Sequence, residues 1–183
     1  MSEIRRVSSR EVYRNPWLAL REDEIEYLDG SRGTYAVVDK KDFVVVLPWV
    51  DGGYWLVQQF RYPVGSREWE FPQGGWPAGH TGTALELAAA ELAEETGLRA
   101  QRYQHLGRLF AAYGYSSQSF DVFRATELTQ GMPRREVSEQ DMVHRWFAED
   151  DLWAMVAAGE FADSFSVAAL TLDGLRRKAE AVE

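Results

Sequence analysis

A chain of 183 residues that is 45% hydrophobic can bury the core of one domain, or of one domain with a short appendage, and is not a disordered polymer. Its formal net charge of −9 excludes a nucleic-acid-binding surface, which needs an excess of lysine and arginine to neutralise phosphates. It has no cysteine for disulfides, thiolate metal sites or nucleophiles, and no apolar run near the roughly 20 residues of a membrane span, so a soluble, untargeted, cytoplasmic protein is expected.

The first half reads as short strands. Residues 11–21 and 23–27 are β-prone, and Asp29-Gly30 marks a tight turn before 35–39, so an N-terminal sheet or hairpin is expected. Phe43-Val44-Val45-Val46-Leu47 is a continuous apolar run, the pattern of a strand covered on both faces. Asp51-Gly52-Gly53 then turns the chain into 54–62, predicted to complete a hairpin inside the main sheet. The stretch Pro72-Gln73-Gly74-Gly75-Trp76-Pro77-Ala78-Gly79 can continue neither a helix nor a central strand and is expected to be a loop.

From Thr83 the composition switches to Ala, Leu and Glu. Leu85, Ala89, Leu92 and Thr96 are spaced for one helical face, and Gly97 is placed to end the helix in the left-handed conformation. Strands are expected to resume over 103–110, 119–125 and 142–147. Two helices close the chain, 150–158 ended by Gly159, and 164–179 with Phe165, Ala168, Leu172 and Leu175 on one face. This order describes an α+β fold, a mixed sheet with helices packed on it.

The chemistry centres on the helix after the glycine loop. Glu91, Glu94 and Glu95 stand at i, i+3 and i+4, neighbours on one face. Taken alone, this is the pattern of a solvated acidic surface. A divalent cation resolves the repulsion differently, because magnesium takes carboxylate oxygens and completes its shell with water and substrate phosphate. The Gly/Pro loop before the helix allows close backbone approach to a metal or a pyrophosphate. His80, His105 and His144 show no metal-ligand spacing, and Gly114-Tyr115-Ser116-Ser117 lacks the closing glycine of a nucleophile elbow, which disfavours covalent catalysis.

The residues Ala90-Glu91-Leu92-Ala93-Glu94-Glu95-Thr96-Gly97-Leu98 resemble the second half of the Nudix box: Arg, Glu, apolar, any, Glu, Glu, any, Gly, apolar. Residues 10–17, 56–63 and 69–74, together with the helix start after Asp163, are similar to the ADP-ribose pyrophosphatase branch of that family. The resemblance implies a Nudix α/β/α sandwich with a mixed β-sheet over 41–183, and an N-terminal antiparallel β extension over 1–40 that helps form a homodimer. It implies magnesium-dependent hydrolysis, with manganese as the other candidate ion, of a nucleoside diphosphate linked to another group. ADP-ribose or a related nucleotide sugar leads the substrates, so the partner is a small nucleotide, not nucleic acid or a membrane.

Carried over by residue, the resemblance makes Glu91 and Glu95 metal ligands, Glu94 a ligand directly or through water, and the backbone carbonyl of Gln73 another. Arg61 matches a substrate-contacting arginine and Glu70 a residue near the substrate. The acidic stretch 134–141 matches the loop that supplies the catalytic base, with Glu139 the first choice and Glu136 the second. Three positions depart from the pattern. Ala90 stands where the family has arginine, and Gly82 where it has an upstream glutamate; this leaves open a transfer of the arginine's orienting role to Arg67 or Arg108, or a weakened nucleotide-binding module. Tyr113, with Tyr115 close by, replaces a proline, and either stacks on a base or ribose or packs beneath its loop.

Overall fold

The structure, a computed structural model, describes residues 4–77, 79–135 and 139–181. Strands β1 (Ile4–Arg14), β2 (Ala19–Tyr27) and β3 (Arg32–Asp39) form an antiparallel sheet in the order β1-β2-β3. The run 11–21, expected as continuous strand, is interrupted. Asn15 Oδ1 accepts hydrogen bonds from the amides of Trp17 and Leu18, both at 2.9 Å, and this side-chain turn around Pro16 reverses the chain.

The main sheet is built from β4 (Phe43–Val50), β5 (Gly53–Arg61), β6 (Ser66–Glu70), β7 (Gln73–Gly74), β8 (Leu98–Phe110), β9 (Ser119–Gln130) and β10 (Val143–Ala148). Its order is β10-β5-β4-β9-β8, with β6 on β5 and β7 on β4. The β4–β9 pair is parallel and the other pairs are antiparallel, so the sheet is mixed. Val44 to Leu47 are at most 1% exposed, as the apolar run predicts for a central strand. The expected loop 72–79 is corrected at its start. Val46 N donates to Pro72 O at 2.9 Å, which draws the chain alongside β4 and lets Gln73 and Gly74 pair with Val45 and Val44. Beyond Pro48, which has no amide to donate, β4 pairs with β5 instead.

Helix α1 (Ala84–Thr96) covers one face of the sheet; α2 (Glu149–Ala158) and α3 (Ser164–Glu180) lie with the core of the other. Val44, Val46, Leu87, Leu92 and Phe123 pack on the α1 side, while Val45, Leu47, Tyr54, Leu56, Phe71, Leu152 and Leu170 pack on the opposite side. The result is the α/β/α sandwich. Thr83 and Glu86 form a reciprocal capping box at the start of α1. Gly97 ends it at φ +76, where an added Cβ would stand 2.6 Å from Gly131 O, so only glycine fits without strain.

Two helix faces differ from expectation. On α1 the buried set is Leu87, Ala88, Leu92, Glu95 and Thr96, while Leu85 is exposed; the helix turns a carboxylate inward. On α3 it is Ser166, Ala169, Leu170 and Asp173, and Leu175 is exposed. Ser166 and Asp173 find buried partners in Phe71 N and Tyr54 Oη, which apolar periodicity does not reveal. Among the described residues no helix is long and apolar enough to cross a membrane.

Candidate active site

Glu95 is the centre of the site. It is 1% exposed, and neither carboxylate oxygen has a hydrogen-bond partner among the described residues. Burial pushes its carboxyl well above the ordinary carboxylate value, and the charges of Glu91, Glu139 and Glu70 push in the same direction, with Arg61 opposing them. Four of the residues singled out from the sequence, Arg61, Glu70, Glu91 and Glu139, therefore act by charge on the single buried carboxylate of a fifth, Glu95. Glu91 lies against the glycine loop: a Cβ on Gly74 would come within 2.5 Å of Glu91 Oε1, so the absence of a side chain there makes room for the carboxylate. Glu94, on the same helix, is exposed.

On the sheet side a hydrogen-bonded lattice holds the floor. Arg61 on β5 grips Glu70 on β6 through Nε at 3.0 Å and Nη2 at 2.7 Å. Gln59 Nε2 donates to Glu70 Oε1 at 2.6 Å, and Gln73 Nε2 donates to Glu70 Oε2 at 2.9 Å and to Asp163 Oδ2 at 3.2 Å. Asp163 caps α3 by accepting from Ser166 N at 3.0 Å. Glu70 is 2% exposed, and burial raises its carboxyl above the usual value although the Arg61 guanidinium pulls it down. Hydrogen-bonded and open pairs alternate in an antiparallel ladder. Because Val46 bonds Pro72, the Val45–Gln73 pair is an open one, and the Gln73 carbonyl is directed away from β4.

The segment after β9 returns along the C-terminal end of α1. Gly131 N donates to Gly97 O at 2.9 Å, Arg134 N to Glu94 O at 2.8 Å and Arg135 Nε to Glu95 O at 3.0 Å. The last turn of α1 contains no basic residue, so Arg135 brings the missing positive charge to the negative end of the helix from elsewhere in the chain. Arg135 also donates to Met142 O and, at 2.9 Å, to His144 Nδ1. Neither Gln59 nor Arg135 was singled out in the sequence. Their signal is a hydrogen bond across strands or loops, and nothing in local spacing announces it.

Other expectations fall outside this cluster. Tyr113 is 84% exposed in a loop that bonds to β3 through Tyr35 Oη on Gly114 O at 2.9 Å and Val38 N on Tyr115 O at 2.8 Å. Arg67 pairs with Asp141, and Arg108 with Asp42 and Asp121. Glu136 lies outside the described residues.

The donor set fits a hard divalent cation. Two unpartnered oxygens on a buried carboxylate, a second carboxylate seated over a glycine and a carbonyl turned out of its ladder are oxygen donors of the kind such an ion takes. Among the described residues no three acidic or histidine side chains are drawn close enough to grip an ion as they stand.

Residues 4–38 match the model of the nucleoside diphosphate sugar hydrolase N-terminal domain, and residues 39–167 match that of the NUDIX domain. The chain is 33% identical over 164 residues to the ADP-ribose pyrophosphatase of Mycobacterium tuberculosis, an alignment that spans 88% of this chain and 79% of that protein. It is 26% identical over 142 residues to the ADP-ribose pyrophosphatase of Bacillus subtilis, spanning 77% and 76%. A crystal structure described as an ADP compounds hydrolase superposes with a TM-score of 0.85 over 98% of this chain and 97% of the other; at 20% identity this is a likeness of fold. With the NUDIX model matched over most of its length, and the acidic helix and glycine loop set against its sheet, the chain belongs to the Nudix hydrolase family.

Proposed function

We propose that this hydrolase cleaves the pyrophosphate of ADP-ribose or a related nucleotide sugar with magnesium, or manganese in its place, at the site around Glu95. The observation that carries this reading is the buried Glu95 carboxylate, without a hydrogen-bond partner at either oxygen among the described residues and repelled by Glu91, Glu139 and Glu70. Such a group is costly unless a proton or a cation joins it. Glu91, Glu95 and the Gln73 carbonyl would hold the ion, with Glu94 joining directly or through water. Bound there, the ion would lower the pKa of a water and offset charge on the phosphoryl oxygens.

The remaining roles belong to side chains. Glu139 accepts a proton from the attacking water, with Glu136 as second choice. The water oxygen bonds to one phosphorus as the bridging P–O bond breaks, giving AMP and a phosphorylated sugar. Arg61 meets the substrate with the edge that Glu70 does not occupy, and Glu70 fixes its orientation. The exposed ring of Tyr113 is the candidate for stacking on base or ribose. The names of the two relatives support ADP-ribose over other nucleotides. Residues 1–40 act as a dimerisation element, a reading supported by the exposed Val12, Tyr13, Trp17 and Tyr27 on the N-terminal sheet and its connections; sedimentation as a monomer only would remove it.

The test is purified protein with magnesium against ADP-ribose, nucleotide sugars and dinucleoside polyphosphates, with products separated by chromatography. AMP from ADP-ribose is the expected result. Ala90 and Gly82 motivate a second reading, a nucleotide-binding module with weakened catalysis. Thermal stabilisation by nucleotide without any product across the panel selects that reading instead.

A further inference from the structure

We infer that Arg135 is a positioning residue for hydrolysis, a three-way clamp that fixes the turn carrying Glu139 against the end of α1 carrying Glu95; the inference rests on the proposed reaction. Each nitrogen of its guanidinium serves a different segment. Nε donates to Glu95 O on α1, Nη1 to Met142 O, and Nη2 to His144 Nδ1 on β10. Met142 N in turn donates to Glu139 O at 2.9 Å, so the Met142 peptide held by Arg135 closes the turn in which Glu139 sits. His144 accepts at Nδ1, since arginine only donates, and burial together with the Arg135 charge lowers the affinity of its ring for a proton.

The clamp answers a specific physical problem. The charge of Glu139 disfavours ionisation of Glu95, so a turn that bears Glu139 near α1 needs bonds that hold it in place. A planar fork with fixed donor directions can hold three acceptors in one geometry, which a lysine ammonium on a flexible stem cannot do. Arg67 fastens the same turn to β6 through Asp141, but that pair is exposed and correspondingly weak. Arg135 therefore sets the spacing between the residue assigned to the ion and the residue assigned to the proton.

The test is a double-mutant cycle with Glu139. Arg135→Ala is expected to lower kcat by about tenfold or more with KM within about twofold, and to change kcat by less than about twofold in a Glu139→Gln background, where there is no base left to place. Arg135→Lys, which recovers one bond of the three, falls between wild type and Arg135→Ala. Equal fold losses in both backgrounds, or a Glu139→Gln enzyme with undiminished kcat, overturn the inference. If wild-type protein turns over no nucleotide, the proposed reaction fails by itself, and the clamp is read from amide hydrogen exchange. Faster exchange confined to Gly97 and the 140–142 segment in Arg135→Ala, with β4 and β9 still protected, supports it; unchanged exchange there overturns it.

Discussion

Among the buried carboxylates of the described residues, Asp173 and Glu95 have opposite surroundings. Asp173 on α3 is 0% exposed, yet Tyr54 Oη donates to it at 2.7 Å, Arg177 Nε at 3.0 Å, and Arg124 Nη1 stands 3.3 Å away as an ion pair without hydrogen-bond geometry. Burial and the Asp173 charge hold the Tyr54 hydroxyl protonated, so it remains a donor. Glu95 on α1 is buried to the same degree but has no donor on either oxygen among the described residues, and its charged neighbours are mostly other carboxylates. Asp173 takes two donors on Oδ2 and has the Arg124 guanidinium beside Oδ1, which accepts no hydrogen bond among the described residues, and so ties α3 to the sheet with cations against its charge. On the proposed reading a cation from outside completes Glu95, and that difference would separate a structural charge from a functional one.

The contrast is broken most sharply by neutralising each carboxylate. Glu95→Gln is expected to reduce turnover by at least about a hundredfold, through loss of transition-state charge stabilisation, while leaving the metal-free protein as stable as wild type or more so. Asp173→Ala is expected to behave the other way. It costs about 3–5 kcal/mol in denaturant unfolding, because Arg124 and Tyr54 lose their buried partner, while activity per folded molecule is unchanged. If Asp173→Ala alone abolished turnover and Glu95→Gln alone unfolded the protein, the assignment of the two networks would be reversed.

Smaller effects sharpen the picture. Gly74→Ala adds a methyl where the Glu91 carboxylate now lies, and that carboxylate is the mobile end of its side chain. A drop of about tenfold in kcat with little change in melting temperature is expected, since small displacements of reacting groups are costly in rate but not in stability. The smallest effect is on pH dependence. The folded-state carboxyls of Glu95 and Glu70 are raised above their unfolded values, so the folded state binds more protons just above the ordinary carboxylate range. The stability that these two groups contribute to the metal-free protein is full below the ordinary carboxylate range and is lost as pH rises through the raised values. Added magnesium should offset that loss progressively as pH climbs, because the ligands must be deprotonated to bind. Melting temperatures with chelator that rise from mildly acidic to neutral pH would contradict the sign.

The central strand and the acidic helix were legible because their signals are local: a run of five apolar residues at 43–47, and Thr83 to Gly97 with a cap at each end. The glutamates were legible for the same reason, and the charges of Glu91 and Glu139, which come from two segments, both act on Glu95. What stayed hidden is long-range. The turn at Asn15 depends on a side chain accepting two backbone bonds, and β7 exists because Val46 reaches Pro72. The buried face of α3 was misjudged because Asp173 and Ser166 are buried for their partners, not for their hydrophobicity. Arg135 gives no sign in the sequence because its three acceptors lie 40, 7 and 9 residues away, and two of them are backbone carbonyls.

Direct titration of manganese, with the free ion followed by electron paramagnetic resonance, addresses the claim on which the rest depends. Wild-type protein should take up the ion, with proton release near neutral pH, and Glu95→Gln should bind at least about tenfold more weakly. Equal manganese affinity in the two proteins would contradict the account, because the buried carboxylate would then have no share in holding a cation.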